Sequence, residues 1–403
     1  LDSREVKEGG LFFAIKGKNT DELIPDLIEK SLAQLPIAKR MRWGNHNVEF
    51  VRPIKWILIL FGSKVLNHKI MGVESGQYSY GHRYHHPDIL KIGNPNEYIK
   101  TLKNKGYVVA DYKERLSIIE SQITSIAEDN KGKVIIDPEL LDEVTSLVEW
   151  PISFVGSFDP SFLKLPKEVL IATMQDNQKY FPVVNKQDKL MPLFICVSNI
   201  KSKNHELIKK GNERVIRPRL SDATFFWEWD LKHGLKNHQK SLKKIIYQKD
   251  LGTLHDKSER LAKTLSSMAK EIDIDASSAK KVAKLCLCDL LTKMVAEFPK
   301  LQGTMGRYYA KADGENDDIA IALEELYRPR FAGDKLPKTL LGQSLSISEK
   351  IDNLIGIFSI GKAPTGDKDP FALRRSAIGV LRIIIECKID IDLKNLLLIA
   401  ASN

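Results

Sequence analysis

The stretch Gly361-Lys-Ala-Pro-Thr-Gly-Asp-Lys-Asp-Pro-Phe-Ala-Leu-Arg-Arg375 carries the strongest local signals for structure in this chain. Its two glycines and first proline favour a loop, and Asp369 followed by Pro370 is typical of a helix N-cap and first helical position. The basic residues around this helix start are Lys362, Lys368, Arg374 and Arg375. Together with the positive end of a helix dipole, they predict a phosphate-binding site at the start of this helix. An ordinary turn between two helices, with solvated charges, remains the alternative.

The spacing in this loop does not match a nucleotide-binding P-loop. Gly361 and Gly366 are correctly spaced, but Asp367 precedes Lys368 and no Ser or Thr follows the lysine. The preceding residues 351–358 are apolar at a helical period rather than in the alternation of a strand. We therefore expect a helix, a loop and a second helix.

The pattern of elements changes along the chain. With 403 residues, the chain exceeds the usual size of a single core. Up to about residue 240, short strand-like runs alternate with helices, and from about Leu251 the pattern is helical. We predict an α+β multidomain protein, with a mixed α/β body over 1–240, divisible at 110/111, and an all-helical domain over 241–403.

Individual elements of the body follow from local pattern. Apolar residues at helical spacing predict a helix that ends at Pro36, and Asp111 precedes a predicted helix of about fifteen residues. A further helix is predicted over 167–174. The predicted strands are 48–50, 56–61, 152–155, 180–184 and 193–197.

Most of the net charge of +10 lies in one segment, 201–249, with thirteen Lys and Arg against five Asp and Glu. Within it, Lys232, Lys236, Lys240 and Lys244 recur every fourth residue, which predicts one stripe along a helix. Such a stripe repels itself unless an anion faces it, and an RNA backbone is the candidate anion. A solvated surface helix is the alternative.

Composition points to a reducing compartment. The four cysteines form no Cys-x-x-Cys pair, so we expect buried, reduced thiols in a cytoplasmic protein. No apolar run is long enough for a membrane helix, and from the charged opening residues we expect no signal peptide. Because the chain opens without Met, we expect it to be a piece of a longer polypeptide.

A metal site is not favoured at the histidine-rich stretch 82–88. His85 and His86 are adjacent, so on a strand they would point to opposite faces. An RNA or interdomain contact by Gly81-His-Arg83 is the favoured interpretation.

The loop 361–375 resembles a signature of the beta subunit of the bacterial, two-subunit glycyl-tRNA synthetases, and further matches run in order along the whole chain. They include Met41-Arg-Trp-Gly44, Phe50-Val-Arg-Pro53, Gly81-His-Arg83, Leu147-Val-Glu-Trp-Pro151, Asp176-Asn-Gln-Lys-Tyr-Phe-Pro182, Arg217-Pro-Arg-Leu-Ser-Asp-Ala223, Leu251-Gly-Thr-Leu254, Asp289-Leu-Leu-Thr-Lys-Met-Val295 and Arg330-Phe-Ala-Gly-Asp334.

The resemblance implies that the chain binds tRNA(Gly) and supports transfer of glycine from an adenylate made by a separate alpha subunit. ATP and Mg would bind that subunit and no cofactor would bind this chain, which alone should be inactive. The intact protein would be an alpha2-beta2 heterotetramer in the cytoplasm. We expect this chain to be a central fragment that lacks the family's N-terminal opening and its C-terminal anticodon-binding domain.

The resemblance also implies that the helical domain is HD-like, similar to metal-dependent phosphohydrolases whose ions are held by histidines and aspartates. Cys288-Asp289 would stand at the diagnostic His-Asp position, and no histidine follows His255, itself next to Asp256. Without imidazole ligands, hydrolase chemistry and a metal are not expected.

We predict no catalytic residue in this chain and no metal ligand. The predicted tRNA-binding residues are Arg83, Lys179, Arg217, Arg219, Lys232, Lys236, Lys240, Lys244, Lys362, Lys368, Arg374 and Arg375. Two alternative functions remain open: a degenerate HD-type phosphohydrolase, and a general RNA-binding module of tRNA processing.

Overall fold

The computed structural model describes residues 20–45, 47–366 and 368–403. They form two compact units. Unit 1 contains the described residues up to Gly156 together with Lys179–Lys210, and unit 2 contains Ser157–Gln178 and Gly211–Asn403. Each unit therefore uses two separate stretches of chain, whereas the predicted domains are continuous. The domain boundary near residue 240 stays a prediction, and residues 1–19 of the predicted body lie outside the described residues.

The first part of unit 1 consists of a helix followed by short strands. Its elements are α1 (Thr20–Gln34), β1 (Met41–Arg42), β2 (Glu49–Phe50), β3 (Ile57–Leu58), β4 (Leu60–Phe61), β5 (Lys64–Val65), β6 (Lys69–Ile70), β7 (Val73–Gly76), β8 (Tyr78–Tyr80), β9 (Ile89–Lys91) and α2 (Tyr98–Asn104). The helix predicted to end at Pro36 is confirmed as α1. Strands β6, β7 and β3 form one small sheet with β7 in its centre.

The strand predicted over 56–61 is divided in two. Ile59, which is buried, separates β3 from β4, and its N–H donates to the Gly76 carbonyl at 3.2 Å. Strand β3 pairs in parallel with β7, whereas β4 turns back in an antiparallel pair with β5. Because residues 56–61 form one continuous apolar run, the sequence does not show that β3 and β4 pair with different strands.

The second part of unit 1 packs helices on a four-stranded sheet. Its elements are α3 (Tyr112–Asp129), β10 (Lys133–Val134), α4 (Pro138–Leu147), β11 (Ile152–Ser157), β12 (Phe181–Val184) and β13 (Leu190–Ser198). The strand order is β10-β12-β13-β11. The Asp111 carboxylate accepts the Glu114 N–H at 2.7 Å, which confirms the predicted start of α3. Ile119 and Ile123 of α3 pack with Phe181 and Ile195 of the sheet in the core.

Unit 2 is helical apart from one short hairpin. Its elements are α5 (Lys167–Ala172), most of α6 (His205–His233), a 3-10 helix (Leu235–Lys244), β14 (Ile246–Gln248), β15 (Gly252–Thr253), α7 (Leu254–Glu271), α8 (Ala276–Leu285), α9 (Lys293–Glu297), α10 (Thr304–Ala312), α11 (Asp317–Glu325), α12 (Leu340–Ser359), α13 (Leu373–Glu386) and α14 (Leu393–Ala401). Met268 of α7, Ile347 and Ile351 of α12, and Ile383 of α13 lie in its core. The α+β class with a helical C-terminal region is confirmed.

The hairpin β14–β15 was not predicted. Gly252 has φ +84°, a left-handed conformation that lets the chain reverse directly before α7. Thr253 and Asp256 then form a capping box at the start of α7. The apolar period after Leu251 is consistent with α7 but carried no signal for the two strands before it.

Candidate nucleic-acid interface

The helix after the loop begins later than predicted. Helix α13 starts at Leu373, not at Pro370, because Ala372 adopts a left-handed conformation with φ +54°. The Asp369 carboxylate nevertheless accepts two N–H groups of the first turn, those of Leu373 at 2.9 Å and Arg374 at 3.0 Å. Desolvation alone would raise the pKa of Asp369, but these two bonds and the arginine charges lower it overall. Asp369 therefore acts as a capping side chain from outside the helix.

The four basic residues of the loop differ in what they contact. The Arg375 guanidinium donates to the Arg330 carbonyl at 3.2 Å, and the Lys362 ammonium lies 5.8 Å from the centre of the Phe371 ring. Lys368 and Arg374 have exposed side chains. Asp367 lies outside the described residues. The loop thus offers exposed positive charge, with Arg375 partly engaged in supporting the fold.

The predicted lysine stripe does not lie on one helix. Helix α6 ends at His233, and Gly234 with φ +72° and ψ 145° redirects the chain into the 3-10 helix. Residues four apart in a 3-10 helix are rotated by about 120°, so the spacing that aligns side chains on an α-helix separates them here. Lys232, Lys236, Lys240 and Lys244 are all exposed, but they do not form a line.

Residues three apart share a face of a 3-10 helix, and this brings Lys240 and Lys243 together. Both line a cavity of about 180 Å³ with His255 of α7 and Lys284 of α8; Glu259 is the acidic residue of its lining. Lys243 was counted in the basic segment but was not among the predicted tRNA-binding residues. Lys284 was not predicted either, because α8 reaches the cavity only through tertiary packing. With three lysines and one glutamate among its described lining residues, this cavity is basic.

Helix α6 carries the exposed Arg217 and Arg219. Arg217 lines a cavity with Asp159 and Glu213. Hydrogen bonds from Ser161 lower the pKa of Asp159, and the Arg217 charge contributes to the same shift. The two acidic neighbours therefore reduce the positive electrostatic potential at Arg217. In the cavity around Lys240, one acid, Glu259, stands against three lysines.

The two predicted residues of unit 1 also have different surroundings. Arg83 is exposed and lines a cavity of about 730 Å³. The Lys179 ammonium lies 2.9 Å from the Glu143 carboxylate, so an RNA phosphate would compete with this ion pair.

Residues 83–85 form a turn, and not the irregular or edge strand expected for this stretch. The N–H groups of Tyr84 and His85 donate to His82 Nδ1 at 3.1 and 3.3 Å, and His85 Nε2 accepts the Lys201 N–H at 3.0 Å. These imidazole nitrogens are therefore engaged with the backbone. Across the described residues, no group of three or more His, Cys, Asp or Glu is arranged to hold a metal ion.

A buried ion network links α7 and α12 in unit 2. Lys257, only 3% exposed, places its ammonium 3.1 Å from Glu349 and 3.9 Å from Asp352, and it lies 4.2 Å from the centre of the Tyr247 ring. Arg260 binds Asp352 through two hydrogen bonds of 2.6 and 3.2 Å. Burial alone would lower the pKa of Lys257, but the carboxylates, Glu349 first, raise it overall. The charges of these carboxylates are thus balanced by a lysine and an arginine.

Cys288 and Asp289 are both buried in a 3-10 turn after α8. Burial raises the pKa of the Cys288 thiol. Burial also raises the pKa of Asp289 to about 6, against the opposing effect of the Gly303 N–H, which donates to Asp289 Oδ2 at 2.5 Å. Backbone amides therefore bind the Asp289 carboxylate. The HD-like assignment of the helical region stays a prediction.

In the part of the chain that the structure describes, no helix combines the length and apolar character needed to span a bilayer.

Comparisons with known proteins identify a family over nearly the whole chain. Residues 4–403 match the family described as "Glycyl-tRNA synthetase beta subunit". The glycine–tRNA ligase beta subunit of Hahella chejuensis is 50% identical over 396 residues, covering 98% of this chain and 57% of that protein. That of Marinobacter nauticus is 49% identical over 398 residues with the same coverage, and that of Colwellia psychrerythraea is 50% identical over 383 residues, covering 95% and 56%.

The chain thus spans just over half the length of these curated relatives. Identity near one half, extending over almost every residue of this chain, is far above what a shared fold alone requires. The chain belongs to the glycyl-tRNA synthetase beta subunit family.

Proposed function

We propose that this chain is the part of a glycine–tRNA ligase beta subunit that holds the tRNA while glycine is transferred from its adenylate. Membership of the family supports the reaction. The basic cavity between the 3-10 helix, α7 and α8 is the single observation that carries the RNA-binding role. In this proposal the adenylate is made by a separate alpha subunit, which binds ATP and Mg. The alpha2-beta2 assembly, the cytoplasmic location and tRNA(Gly) as substrate belong to the same proposal.

The cavity is suited to a phosphate group of an RNA backbone. Lys240, Lys243 and Lys284 supply ammonium groups from two elements, and Glu259 is the one carboxylate among the described residues of the lining. Lysines that neutralise phosphates release condensed counterions, which provides most of the sequence-independent affinity for nucleic acid. The exposed Lys236 and Lys244 would extend this field on other faces of the 3-10 helix.

A phosphohydrolase function is less well supported than RNA binding. Glu349 and Asp352 are the buried carboxylates on α12 that face α7, and Lys257 and Arg260 already neutralise them. A metal-activated water would need anionic or imidazole ligands that are not committed to a lysine. The network therefore favours a structural role for this interior.

The experiment reverses two charges at the cavity and two elsewhere. In the test variant Lys240→Glu is combined with Lys243→Glu, and the matched control combines Lys263→Glu with Lys335→Glu, two exposed lysines of unit 2 outside the cavity lining. Binding of tRNA is measured as a function of salt, and charging is measured with the alpha subunit present. We expect the cavity variant to bind about tenfold more weakly or worse, and its salt slope to flatten by about one unit per lost phosphate contact.

Circular dichroism checks that both variants retain the helix content of the parent chain. Surface charge changes of this kind alter stability by about 0.5 kcal/mol or less, so loss of fold is not the expected cause of weaker binding. Equal affinity, salt slope and charging kcat/KM in the two folded variants would contradict the assignment of the cavity to RNA.

A further inference from the structure

Two cavities in unit 1 share an aromatic wall. Trp56, just before β3, and Tyr80, at the end of β8, line both a cavity of about 730 Å³ and a neighbouring cavity of about 560 Å³. Their ring centres are 4.6 Å apart with the planes tilted by 50°. Trp56 is 43% exposed and Tyr80 is 39% exposed, so both rings are accessible. An accessible aromatic pair between two cavities can support a flat group on either side.

The larger cavity is positively charged. Lys55 and Arg83 lie in its lining and are exposed, and none of the described residues that line it is acidic. The other lining residues are Pro53, Ile54, Gly81 and Pro87, which add apolar surface. This combination favours a ligand with a flat apolar part and an attached anion.

The smaller cavity has a different chemistry. Asn67 and Gln77 line it and carry side-chain amides that can both donate and accept hydrogen bonds. Ser75 also lines it, but its hydroxyl is already engaged, since it donates to the Leu66 carbonyl at 2.7 Å and accepts the His68 N–H at 2.8 Å. The exposed carboxylate of Glu74 makes this side unfavourable for a phosphate. Polar base edges fit here, and phosphates fit on the side of Lys55.

We propose that this pair of cavities binds unpaired nucleotides of an RNA, with bases stacked on Trp56 and Tyr80 and a phosphate held by Lys55 and Arg83. Single-stranded nucleic acids are bound in this way, by aromatic platforms beside positive charge. A proline-rich peptide can also stack on exposed aromatic residues, but its proline rings carry no anion for Lys55 and Arg83 to bind. This inference rests on the proposed function, because RNA is the partner in both. It adds a site in unit 1 for the unpaired nucleotides of that RNA.

The test uses the 403-residue chain and two RNA hairpins that differ only at their ends. One hairpin has an unpaired 3′ tail that contains a fluorescent adenine analogue, and the other ends blunt. We expect the tail to increase affinity, and Trp56→Ala to remove that increase, which for stacking of one base corresponds to about 5- to 150-fold. Trp56→Phe should retain most of it, and Arg83→Gln should weaken tailed RNA and flatten its salt slope by about one unit.

The control variant is Phe61→Ala, which removes an exposed aromatic side chain of β4 that lines neither cavity. It should bind both hairpins as the parent chain does. In the parent chain, the fluorescence of the adenine analogue should fall on binding, since stacking on an indole quenches it. Trp56→Ala should abolish this change without altering affinity for the blunt hairpin.

The outcomes separate this inference from the proposed function. If the parent chain binds both hairpins equally, or if Trp56→Ala weakens both alike, the nucleotide site is wrong while RNA binding stands. If the parent chain binds neither hairpin, the proposed function itself fails. Tryptophan quenching by a proline-rich peptide, without a response to tailed RNA, would assign the cavities to a protein partner and overturn the inference.

Discussion

Lysines and aspartates occur both in the interior of unit 2 and on its surface, and their surroundings differ. The interior region lies between α7 and α12; the surface region comprises the 3-10 helix and the start of α13. Lys257 is enclosed by carboxylates, whereas Lys240 is exposed beside other lysines. Asp289 and Asp369 both accept backbone N–H groups, but burial raises the pKa of Asp289 to about 6, and the pKa of Asp369 is lowered. The comparison shows that the interior charges hold helices together, while the surface lysines are left available to a ligand.

The largest effect is expected from breaking the interior network at Lys257. Lys257→Met keeps most of the buried stem but removes the ammonium 3.1 Å from Glu349, and removing one partner of a buried ion pair costs about 3–5 kcal/mol. The free energy of unfolding, measured with urea and circular dichroism, should fall by this amount.

Lys350→Met is the matched control for that change. Lys350 is equally buried, but its ammonium donates to neutral oxygens, the Arg328 carbonyl at 3.0 Å and Ser346 Oγ at 2.8 Å. Its charge acts on Glu349 without a direct ion pair, whereas Lys257 contacts that carboxylate at 3.1 Å, so the loss should be smaller. Equal losses in the two variants would show that burial of the ammonium, rather than the ion pair, decides the energetics here.

A second, pH-dependent effect is expected at Asp289. Burial raises its pKa from the ordinary value of 3.8 to about 6, so the folded state binds the proton more readily. This group therefore makes the protein more stable as pH falls from 7 towards 4, by up to about 3 kcal/mol for a shift of about two pKa units. Asp289→Asn, which keeps an oxygen acceptor for the Gly303 N–H, should remove the part of this gain that lies between pH 7 and pH 5, about 1 kcal/mol.

Comparison of the parent chain and Asp289→Asn cancels the titration of the histidines, which both proteins share. Glu349, whose pKa is lowered, stays ionised in this window and contributes only at more acidic pH. An equal gain in unfolding free energy on acidification of both proteins would exclude Asp289 as its source.

The smallest of these effects is expected at the surface carboxylate Asp369. Asp369→Ala removes the acceptor for the N–H groups of Leu373 and Arg374, and loss of such a cap costs about 1 kcal/mol. Asp369→Asn retains an oxygen acceptor and should lose less. Thermal unfolding compares the two variants; identical melting temperatures would mean that the contact does not stabilise α13.

Local signals in the sequence were sufficient for elements whose ends are determined by neighbouring residues. Asp111 is an acceptor for the N–H of Glu114, and the start of α3 was therefore predictable. Strands β11, β12 and β13 also coincide with apolar runs in the sequence. Their order in the sheet, which places β12 between β10 and β13, depends on long-range packing that no local pattern encodes.

The errors at the candidate site arise where backbone conformation or tertiary packing departs from what the local sequence pattern indicates. The period of four in Lys232–Lys244 continues across Gly234, so the sequence pattern does not show that the backbone changes from α-helix to 3-10 helix. Ala372 adopts a left-handed conformation that alanine rarely takes, and Pro370 therefore appeared to be the first helical residue. The meeting of Lys284 with Lys240 is a tertiary contact, which the spacing of residues in one segment cannot reveal.

Gly234 constrains how this surface can change in evolution. A Cβ atom added there would lie 3.0 Å from Asp313 Oδ1, and the neighbouring Asp313 Oδ2 accepts the Lys236 N–H at 3.2 Å. Replacement of this glycine would alter no charge in the chain, yet it would disturb the turn that sets the direction of the lysines on the 3-10 helix. Gly234, although uncharged, therefore limits which substitutions this surface tolerates as much as the lysines do. Mutagenesis restricted to basic positions would not detect its effect.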